Sequence, residues 1–437
     1  MRTNTKPVSV RTHEGAIACR SGATDELRRS VMACMLFEGE FYEDGQSIAD
    51  RIAAMIPLVD PVMVATIAIE AREKSKLRHV PLLIVREMAR HASHRPHVAW
   101  TLERVIQRPD ELCEFMALYW RDGRVSVAAS VKRGLAAAFG KFNAHTLAKY
   151  DRKDTIRLRD VLFICHAKPK DAEQDATWKR LIDGTLPTPD TWETTLSAGH
   201  DKKEAWTRLL VEKKLGALAL LRNLRNILQA QVDETLIASA LMLMDAGRVL
   251  PFRFIAAARY APRLEPQLET AMFRGLADAE SLSGRTILLI DVSGSMDDKL
   301  SDKSEMTRLE AACALAMLAR QIGDCSVFTF SDSLVEVPAR RGFALRDAIV
   351  ESQGHSSTQL GAAVHGLVGM PHDRLIVITD EQSHDSVPSP FAKGYIVNVA
   401  SYEHGVGYGP WTHVHGWSES IIDYIRAIET SLDPEPS

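Results

Sequence analysis

Residues 286–296, T-I-L-L-I-D-V-S-G-S-M, decide the fold of the C-terminal part of this chain. The apolar run 286–290 predicts a strand that is buried on both faces, as in a parallel sheet covered by helices. Asp291, Ser293 and Ser295 then place a carboxylate and two hydroxyls at the carboxyl end of that strand. In open α/β sheets, ligands bind outside this end of the strands. The stretch therefore predicts a doubly wound sheet with a ligand site at its edge.

Two later stretches offer further oxygen ligands. Thr358 lies in a loop-like run after Gly354, and Asp380 follows the apolar run 375–379. Mg²⁺ takes about six oxygens and keeps several waters, so a few short side chains suffice to bind it. The predicted ligands of a divalent cation, with Mg²⁺ as the expected ion, are Asp291, Ser293, Ser295, Thr358 and Asp380. The alternative is a strand-to-helix turn with serine caps and no ion.

The order D-x-S-x-S, then T, then D after an apolar strand resembles the metal-ion-dependent adhesion site of von Willebrand factor A domains. All five positions match that pattern. The resemblance implies that the C-terminal region, residues 284–437, is a von Willebrand factor A-like domain.

The composition is that of a soluble globular protein with more than one domain. The chain has 437 residues, with 46% apolar and 25% charged residues and a net charge of −4. Its six cysteines form no C-x-x-C pair, which favours free thiols in a reducing compartment. The sequence contains no apolar run long enough to span a membrane and no signal-peptide core. We therefore expect a cytoplasmic protein without a membrane partner.

The helical part is expected to precede the sheet. Residues 1–25 are polar and predict a loosely ordered segment. Between residues 26 and 278, apolar residues recur at spacings of three and four, which predicts helices in series, the last over residues 251–264. Serial helices without a heptad repeat favour an α-solenoid of HEAT type. The predicted fold class is thus multidomain, α followed by α/β.

Within residues 284–437, strand-like runs alternate with helical patterns, as in a doubly wound sheet. Neither G-x-x-x-x-G-K nor G-x-G-x-x-G follows a strand-like run here. The sequence therefore predicts no nucleotide cofactor.

Positive charge is concentrated in residues 132–170. This stretch holds ten Lys or Arg against three Asp, an excess of seven charges in a chain that is negative overall. Phe139, Phe142 and Tyr150 add rings that can stack on unpaired bases. Lys and Arg neutralise phosphates, so the stretch indicates RNA binding through a local surface. The alternative is a solvated face of two helices.

Several phrases along nearly the whole chain resemble the Ro autoantigen family, whose helical part is the TROVE domain. The matching phrases lie at residues 40–45, 77–83, 108–112, 132–136, 149–150, 166–170, 219–226, 250–254 and 379–383. The compact chain is more similar to the bacterial members than to the animal ones. The resemblance implies a ring of HEAT-like helical repeats closed by the von Willebrand factor A domain, and it assigns residues 26–278 to the TROVE domain.

The resemblance also implies a function. Members of the family bind small Y RNAs on the outer surface of the ring and admit single-stranded 3′ ends of misfolded RNAs into its hole. Bacterial relatives work with exoribonucleases in RNA quality control and processing. These implied partners, and a monomeric ring, are expectations for this chain.

Two residues of this sequence match positions that contact RNA in the family. Lys149 and His166 match positions implicated in Y RNA binding, and Lys153 is a further basic position of that surface. Asp151 stands where the family has a Lys. The full set of predicted RNA-binding residues is Lys132, Arg133, Lys141, Lys149, Arg152, Lys153, His166 and Lys168.

Two other functions are possible on the sequence alone. A metal-dependent protein-interaction scaffold would use the five predicted ligands to grip an acidic side chain of a partner. A metal-assisted hydrolase is disfavoured, because the ligand set consists mostly of hydroxyls and the sequence shows no two-metal cluster of carboxylates and no obvious general base. We therefore expect no enzymatic activity.

Overall fold

The structure is a computed structural model. It describes residues 23–33, 45–73, 77–151, 155–187, 201–247, 249–277, 279–300, 305–400 and 410–415, with isolated positions between 421 and 429. The described residues form two compact units. The first unit comprises the described residues up to 187 except Gly45, and the second comprises Gly45 and those from 201 onward. Each unit has a buried apolar core.

The first unit is helical throughout its described elements. These are α1 (Ala23–Ala33), α2 (Gly45–Met55), a 3₁₀ turn (Ile56–Leu58), α3 (Pro61–Glu73), α4 (His79–Arg90), α5 (Arg95–Val105), α6 (Pro109–Tyr119), α7 (Ala129–Phe139), α8 (Ala144–Tyr150), α9 (Leu158–Cys165) and α10 (Ala172–Asp183). The predicted series of helices is confirmed, and α3 and α9 begin and end at the predicted residues.

A buried ion pair joins three helices of the first unit. Glu111 is fully buried, and its Oε2 accepts hydrogen bonds from the backbone N–H groups of Gln107 (2.7 Å) and Arg108 (3.1 Å) at the start of α6. Its Oε1 accepts from Arg72 Nη2 of α3 at 2.6 Å. Arg72 Nε in turn donates to the carbonyl of Val105 at the end of α5 (3.0 Å). One carboxylate thus caps a helix and fixes the packing of its neighbours.

The second unit begins with helices and ends with a sheet. Its described helices are α11 (Lys202–Val211), α12 (Ala217–Gln229), α13 (Glu234–Leu243), α14 (Pro251–Ala258), α15 (Glu265–Gly275), α16 (Arg308–Ile322), α17 (Gly342–Val350) and α18 (Leu360–Gly366). Its strands are β1 (Leu282–Asp291), β2 (Gly323–Phe330), β3 (Leu334–Glu336), β4 (Arg374–Thr379), β5 (Lys393–Asn398) and β6 (Thr412–His415).

The sheet has the order β3-β2-β1-β4-β5-β6, and β1 pairs in parallel with both β2 and β4. Only β3, at one edge of this described sheet, is antiparallel. Residues 286–291 of β1 and all of β4 are buried, as expected for strands covered by helices on both faces. The predicted doubly wound sheet is confirmed, with the chain reversing its winding direction between β1 and β4.

Helices that precede the sheet in sequence pack with it in the same unit. Glu269 of α15 accepts a hydrogen bond from the backbone N–H of Phe343 at the start of α17 (2.9 Å). Arg346 Nη2 lies 3.5 Å from Glu265 Oε2. These contacts explain why the compact units separate near residue 200; the three domains derived from the sequence stay a prediction.

One helix prediction is wrong at its end. The sequence predicted a single helix over residues 251–264, but α14 ends at Ala258 and a 3₁₀ turn (Pro262–Leu264) leads into α15. Pro262 has no backbone N–H and cannot continue an α-helix. The short strands β3 and β6 and the helix α17 were not predicted at all, and α15 lies in the predicted helical region without predicted bounds of its own. Within the described residues, no helix combines the length and the apolar character needed to cross a bilayer.

The sheet core yields a stability prediction. Leu289 is fully buried in β1, so Leu289→Ala leaves a cavity and should lower the free energy of unfolding by about 2–5 kcal/mol. Leu243→Ala makes the same change at a side chain that is 70% exposed, and it should stay within about 0.5 kcal/mol of wild type. Urea unfolding followed by circular dichroism measures both. Equal stability of the two variants would contradict the assigned core.

Candidate functional site

Two acids meet at the carboxyl edge of the sheet. Asp291 is the last residue of β1, and Asp380 directly follows β4, its parallel neighbour. Both side chains are completely buried. Adjacent parallel strands end at the same edge of a sheet, which is why the sequence predicted that these acids lie together. The structure places both acids at that edge.

The loop after β1 is folded around the Asp291 carboxylate. Asp291 Oδ1 accepts the backbone N–H of Ser293 (2.9 Å), and Oδ2 accepts the hydroxyl of Thr379 (2.6 Å). This bond from Asx to a residue two positions on is the usual way in which Asp initiates a turn. The hydroxyl oxygens of Ser293 and Ser295 then lie 3.4 Å apart. Three of the predicted ligands thus form one local cluster.

Arg308 ties this cluster to the second acid. Its Nη1 donates to the carbonyl of Ser295 (3.0 Å) and lies 3.7 Å from Asp380 Oδ2. The Arg308 side chain is 2% exposed and belongs to the first residue of α16. We did not predict this residue, since an Arg in the first turn of a helix gives no sequence signal that it points inward.

Thr358 reaches the site through the segment after Asp380. The residue is buried, its backbone N–H donates to His384 Nδ1 (3.2 Å), and its carbonyl accepts from Ser383 Oγ (3.3 Å) and the His384 N–H (3.0 Å). Hydrogen bonds therefore connect Asp291, Ser293 and Ser295, and Arg308 joins this cluster to Asp380. Thr358 is connected by its backbone.

A strained residue fixes the end of β4. Glu381 is fully buried and has a φ of 59°, in the left-handed region that non-glycine residues rarely adopt. Its carboxylate accepts from Asn398 Nδ2 (3.1 Å) and contacts His413 Nδ1 (2.8 Å), which anchors the segment to β5 and β6. Because Asn398 and His413 lie far from Glu381 in sequence, local sequence patterns did not predict these contacts.

The electrostatics of the site fit a divalent cation. Burial raises the pKa of Asp291, and the negative charge of Asp380 raises it further. Arg308 supplies one positive charge to two buried carboxylates, so a cation held between the acids would relieve their mutual repulsion. Carboxylate and hydroxyl oxygens are the hard ligands that Mg²⁺ and Ca²⁺ take. When bound, such an ion would act as a Lewis acid toward an incoming oxygen ligand.

The donor set differs from a cluster of acids and histidines. Among the described residues, no group of three or more His, Cys, Asp or Glu side chains is arranged to hold a metal ion. The site contains only two acids, so a cation here would depend on hydroxyl oxygens and water for the rest of its coordination.

The predicted RNA-binding residues lie on the first unit. Lys132 and Arg133 belong to α7, Lys149 to α8, and His166 and Lys168 follow α9. Arg133, His166 and Lys168 are exposed. α7 packs against α9. The positive charge of Lys132 offsets a small part of the rise that burial causes in the pKa of the Cys165 thiol. Arg152 and Lys153 lie outside the described residues.

Lys141 has a structural attachment. Its ammonium group donates to the backbone carbonyls of Glu103 and Ile106 at the end of α5. Burial lowers its pKa. Cations at helix C-termini stabilise the helix, so Lys141 helps to hold the α7–α8 connection against α5. Its charge is therefore partly neutralised by carbonyl dipoles.

The chain is similar to known proteins in sequence and in fold. Residues 179–311 match the model of the TROVE domain. Telomerase protein component 1 of Rattus norvegicus is 34% identical over 91 residues, which is 20% of this chain and 4% of that protein. The chain thus spans a very small part of this relative.

The crystal structure of the Deinococcus radiodurans RO (RSR) protein superposes with a TM-score of 0.63. The match has 18% sequence identity and covers 92% of this chain and 99% of that one. A likeness at this identity shows a shared fold. Together with the TROVE match, it confirms the resemblance to the Ro family that the sequence phrases indicated.

The acid pair yields a prediction about metal ions. We expect MgCl₂ to raise the unfolding temperature of the wild type above its value in EDTA, because only the folded state brings the oxygens together. A ligand at a hundred times its Kd stabilises the folded state by about 2.7 kcal/mol, which corresponds to roughly 5–10 °C. Asp291→Asn should abolish the response in differential scanning calorimetry.

Asp347→Asn is the matched control, since it removes one carboxylate from an exposed position of α17 in the same unit. This variant should respond to Mg²⁺ as the wild type does. A wild type that melts at the same temperature in Mg²⁺, Mn²⁺ and EDTA would contradict the assigned site.

Proposed function

We propose that this chain is a non-catalytic RNA-binding protein that binds a small stem-loop RNA of the Y type and single-stranded ends of misfolded RNA. The observation that carries the proposal is the concentration of basic side chains on α7, α8 and the end of α9 of the first unit, in a chain of net charge −4. A local basic surface binds phosphates without an overall positive field.

The chemistry of this surface suits structured RNA. A-form duplexes hide their bases in a deep, narrow major groove, so proteins bind them through phosphates and 2′-hydroxyls. Arg133, His166 and Lys168 are exposed on this surface and can supply such contacts. Duplex RNA would then be recognised largely by shape, and unpaired RNA by its accessible bases.

The comparisons support the same proposal. A TROVE-domain match and the fold of a bacterial Ro protein occur in a chain whose phrases resemble the Ro family. By that resemblance, we infer a role in RNA quality control or processing together with an exoribonuclease, in the cytoplasm and as a monomer. The nuclease would supply the catalysis, and this chain would supply recognition of the RNA.

A second function rests on the edge of the sheet. Two fully buried acids with hydroxyl oxygens beside them form a set that suits one cation, and Gly294 in the same loop is exposed. A cation here would have one face toward solvent, where a carboxylate of a protein partner could complete its coordination. We infer that this metal-dependent contact serves assembly with a protein and accompanies the RNA role.

The predicted metal site at this edge of the sheet does not suit a hydrolytic reaction. Two-metal phosphodiesterases hold their ions with several carboxylates. Here Asp291 and Asp380 are the two acids of the predicted set, and both already accept hydrogen bonds from neighbouring groups. The site therefore suits binding better than activation of water.

A charge reversal tests the RNA surface. Lys149→Glu should weaken binding of a hairpin RNA about tenfold at low salt and should reduce the slope of log K against log salt by about one, because one phosphate contact is lost. Fluorescence anisotropy at several salt concentrations measures both effects. Lys179→Glu, on α10 in the same unit, makes the same charge change outside the predicted surface and should bind as the wild type does.

The identity of the RNA can be tested directly. Purification of the protein from its own cells should enrich one small stem-loop RNA, which sequencing would identify. If no RNA exceeds background and the purified protein fails to bind a hairpin at low salt, the proposed RNA role is wrong. The predicted metal site at the edge of the sheet would then be the site to test for function.

A further inference from the structure

The first unit contains a pocket of about 730 Å³ that is separate from the predicted metal site. It lies among α6, the end of α8 and α9, and all its lining residues belong to the first unit. The volume is in the range of small-molecule sites. Its walls combine aromatic rings with carboxylates, a combination that the predicted phosphate contacts do not explain.

Three aromatic rings line this pocket: Trp120, Tyr150 and Phe163. Phe163 is 57% exposed although it belongs to the short helix α9, so a large ring is left accessible beside the cavity. The guanidinium of Arg124 lies 4.7 Å from the centre of the Trp120 ring. Aromatic rings and planar guanidinium groups are the surfaces on which proteins stack unpaired bases.

The polar atoms of the pocket are mainly acceptors. Glu114 Oε2 is buried and accepts no hydrogen bond from the described residues; His79 Nε2 lies 3.5 Å away. The other oxygen, Oε1, accepts from Arg78. Asp160 also lines the pocket, and its Oδ2 caps the start of α9 by accepting the Arg157 N–H (2.9 Å). The pocket thus offers at least one buried acceptor that needs a donor.

These groups select among possible occupants. A phosphate would find Arg78 and Arg108 already paired with carboxylates. A cationic side chain would meet acids that Arg78 and Arg108 already neutralise, since Arg78 pairs with Asp110 and Glu114 and Arg108 pairs with Asp110. A neutral, flat group that donates hydrogen bonds fits both the rings and the buried acceptor.

The pocket is also continuous with the basic surface. Tyr150 ends α8 directly after Lys149, whose ammonium lies 5.7 Å from the centre of the Tyr150 ring. Phe163 precedes His166 by one turn, at the end of α9. An RNA backbone held by these basic residues would run beside the pocket mouth.

We propose that this pocket receives one unpaired base of the bound RNA, stacked against Phe163, Tyr150 and Trp120, with its exocyclic amine donating to Glu114. The inference rests on the RNA-binding function proposed above and adds a base-reading site to it. The site discriminates bases that carry an amine from uracil, and it binds RNA whose helix is interrupted in preference to a perfect duplex.

Hairpin RNAs with one stem sequence test the proposal. One hairpin is fully paired. A first series carries a single bulged adenosine at successive positions, and a second series carries an abasic bulge at the same positions. We expect wild type to bind at least one adenosine bulge roughly tenfold more tightly than its abasic counterpart, as one stacked base allows. Purine riboside, which lacks only the amine, should lose part of this gain at that position.

Phe163→Leu keeps an apolar side chain but removes the ring. It should abolish the preference for the adenosine bulge and leave the affinity for the fully paired hairpin unchanged. Phe391→Leu makes the same substitution at an exposed ring of the second unit and should retain the preference.

The outcomes separate this inference from the RNA role itself. Binding of the fully paired hairpin without any preference for an adenosine bulge, or a preference that survives Phe163→Leu, would overturn the base pocket and leave the RNA role intact. Failure of every hairpin to bind at low salt would overturn both. Binding of a labelled oligoarginine peptide that requires Phe163, with RNA binding unaffected, would assign the pocket to a basic protein partner and overturn the proposal.

Discussion

Two carboxylates buried at the ends of adjacent parallel strands impose the main constraint on the second unit. Asp291 and Asp380 repel each other in a medium where burial already penalises their charges. The surrounding residues offset the cost of burying these two charges. Thr379 and the Ser293 N–H bind one acid, and Arg308 lies beside the other. The β1 loop, the start of α16 and the end of β4 are thereby held in one arrangement.

This arrangement explains why structural and functional demands coincide at the sheet edge. Hydroxyls and carboxylates that stabilise the loops are also the oxygens that a hard cation would use. The strained backbone of Glu381, held by Asn398 and His413, keeps the segment after β4 in place. Strain of this kind persists only where surrounding contacts fix it, and such positions cluster at binding sites.

The first unit uses buried charge in another way. Glu111 and Arg72 pair in the interior and fix how three helices meet. Lys141, Arg133, His166 and Lys168 are all exposed, but the Lys141 ammonium group donates to backbone carbonyls. The basic stretch that the sequence shows as one feature therefore contains one residue, Lys141, whose side chain also supports the fold. The aromatic pocket beside it is open to a neutral group, so a single surface can combine backbone binding with recognition of a base.

The sequence by itself determined the order of elements and the identity of the acids. Helical periodicity predicted the serial helices, and the apolar runs before Asp291 and Asp380 predicted two buried strands, because the pattern of burial is local along the chain. The phrases shared with the Ro family gave a resemblance that the TROVE-domain match supports, and the structural comparison shows a shared fold. The metal ligands, the RNA contacts and the domain boundaries remain predictions from the sequence.

Only the tertiary structure decided which residues meet across long separations. Arg308 reaches Asp380, Glu381 reaches His413, and Lys141 reaches the end of α5, and none of these contacts leaves a local pattern. The short strands β3 and β6 were not predicted, because their own composition does not mark them as strands. Pairing with a longer neighbouring strand stabilises them. The pocket of the first unit arises in the same way, since its rings and carboxylates come from separate helices that packing alone brings together.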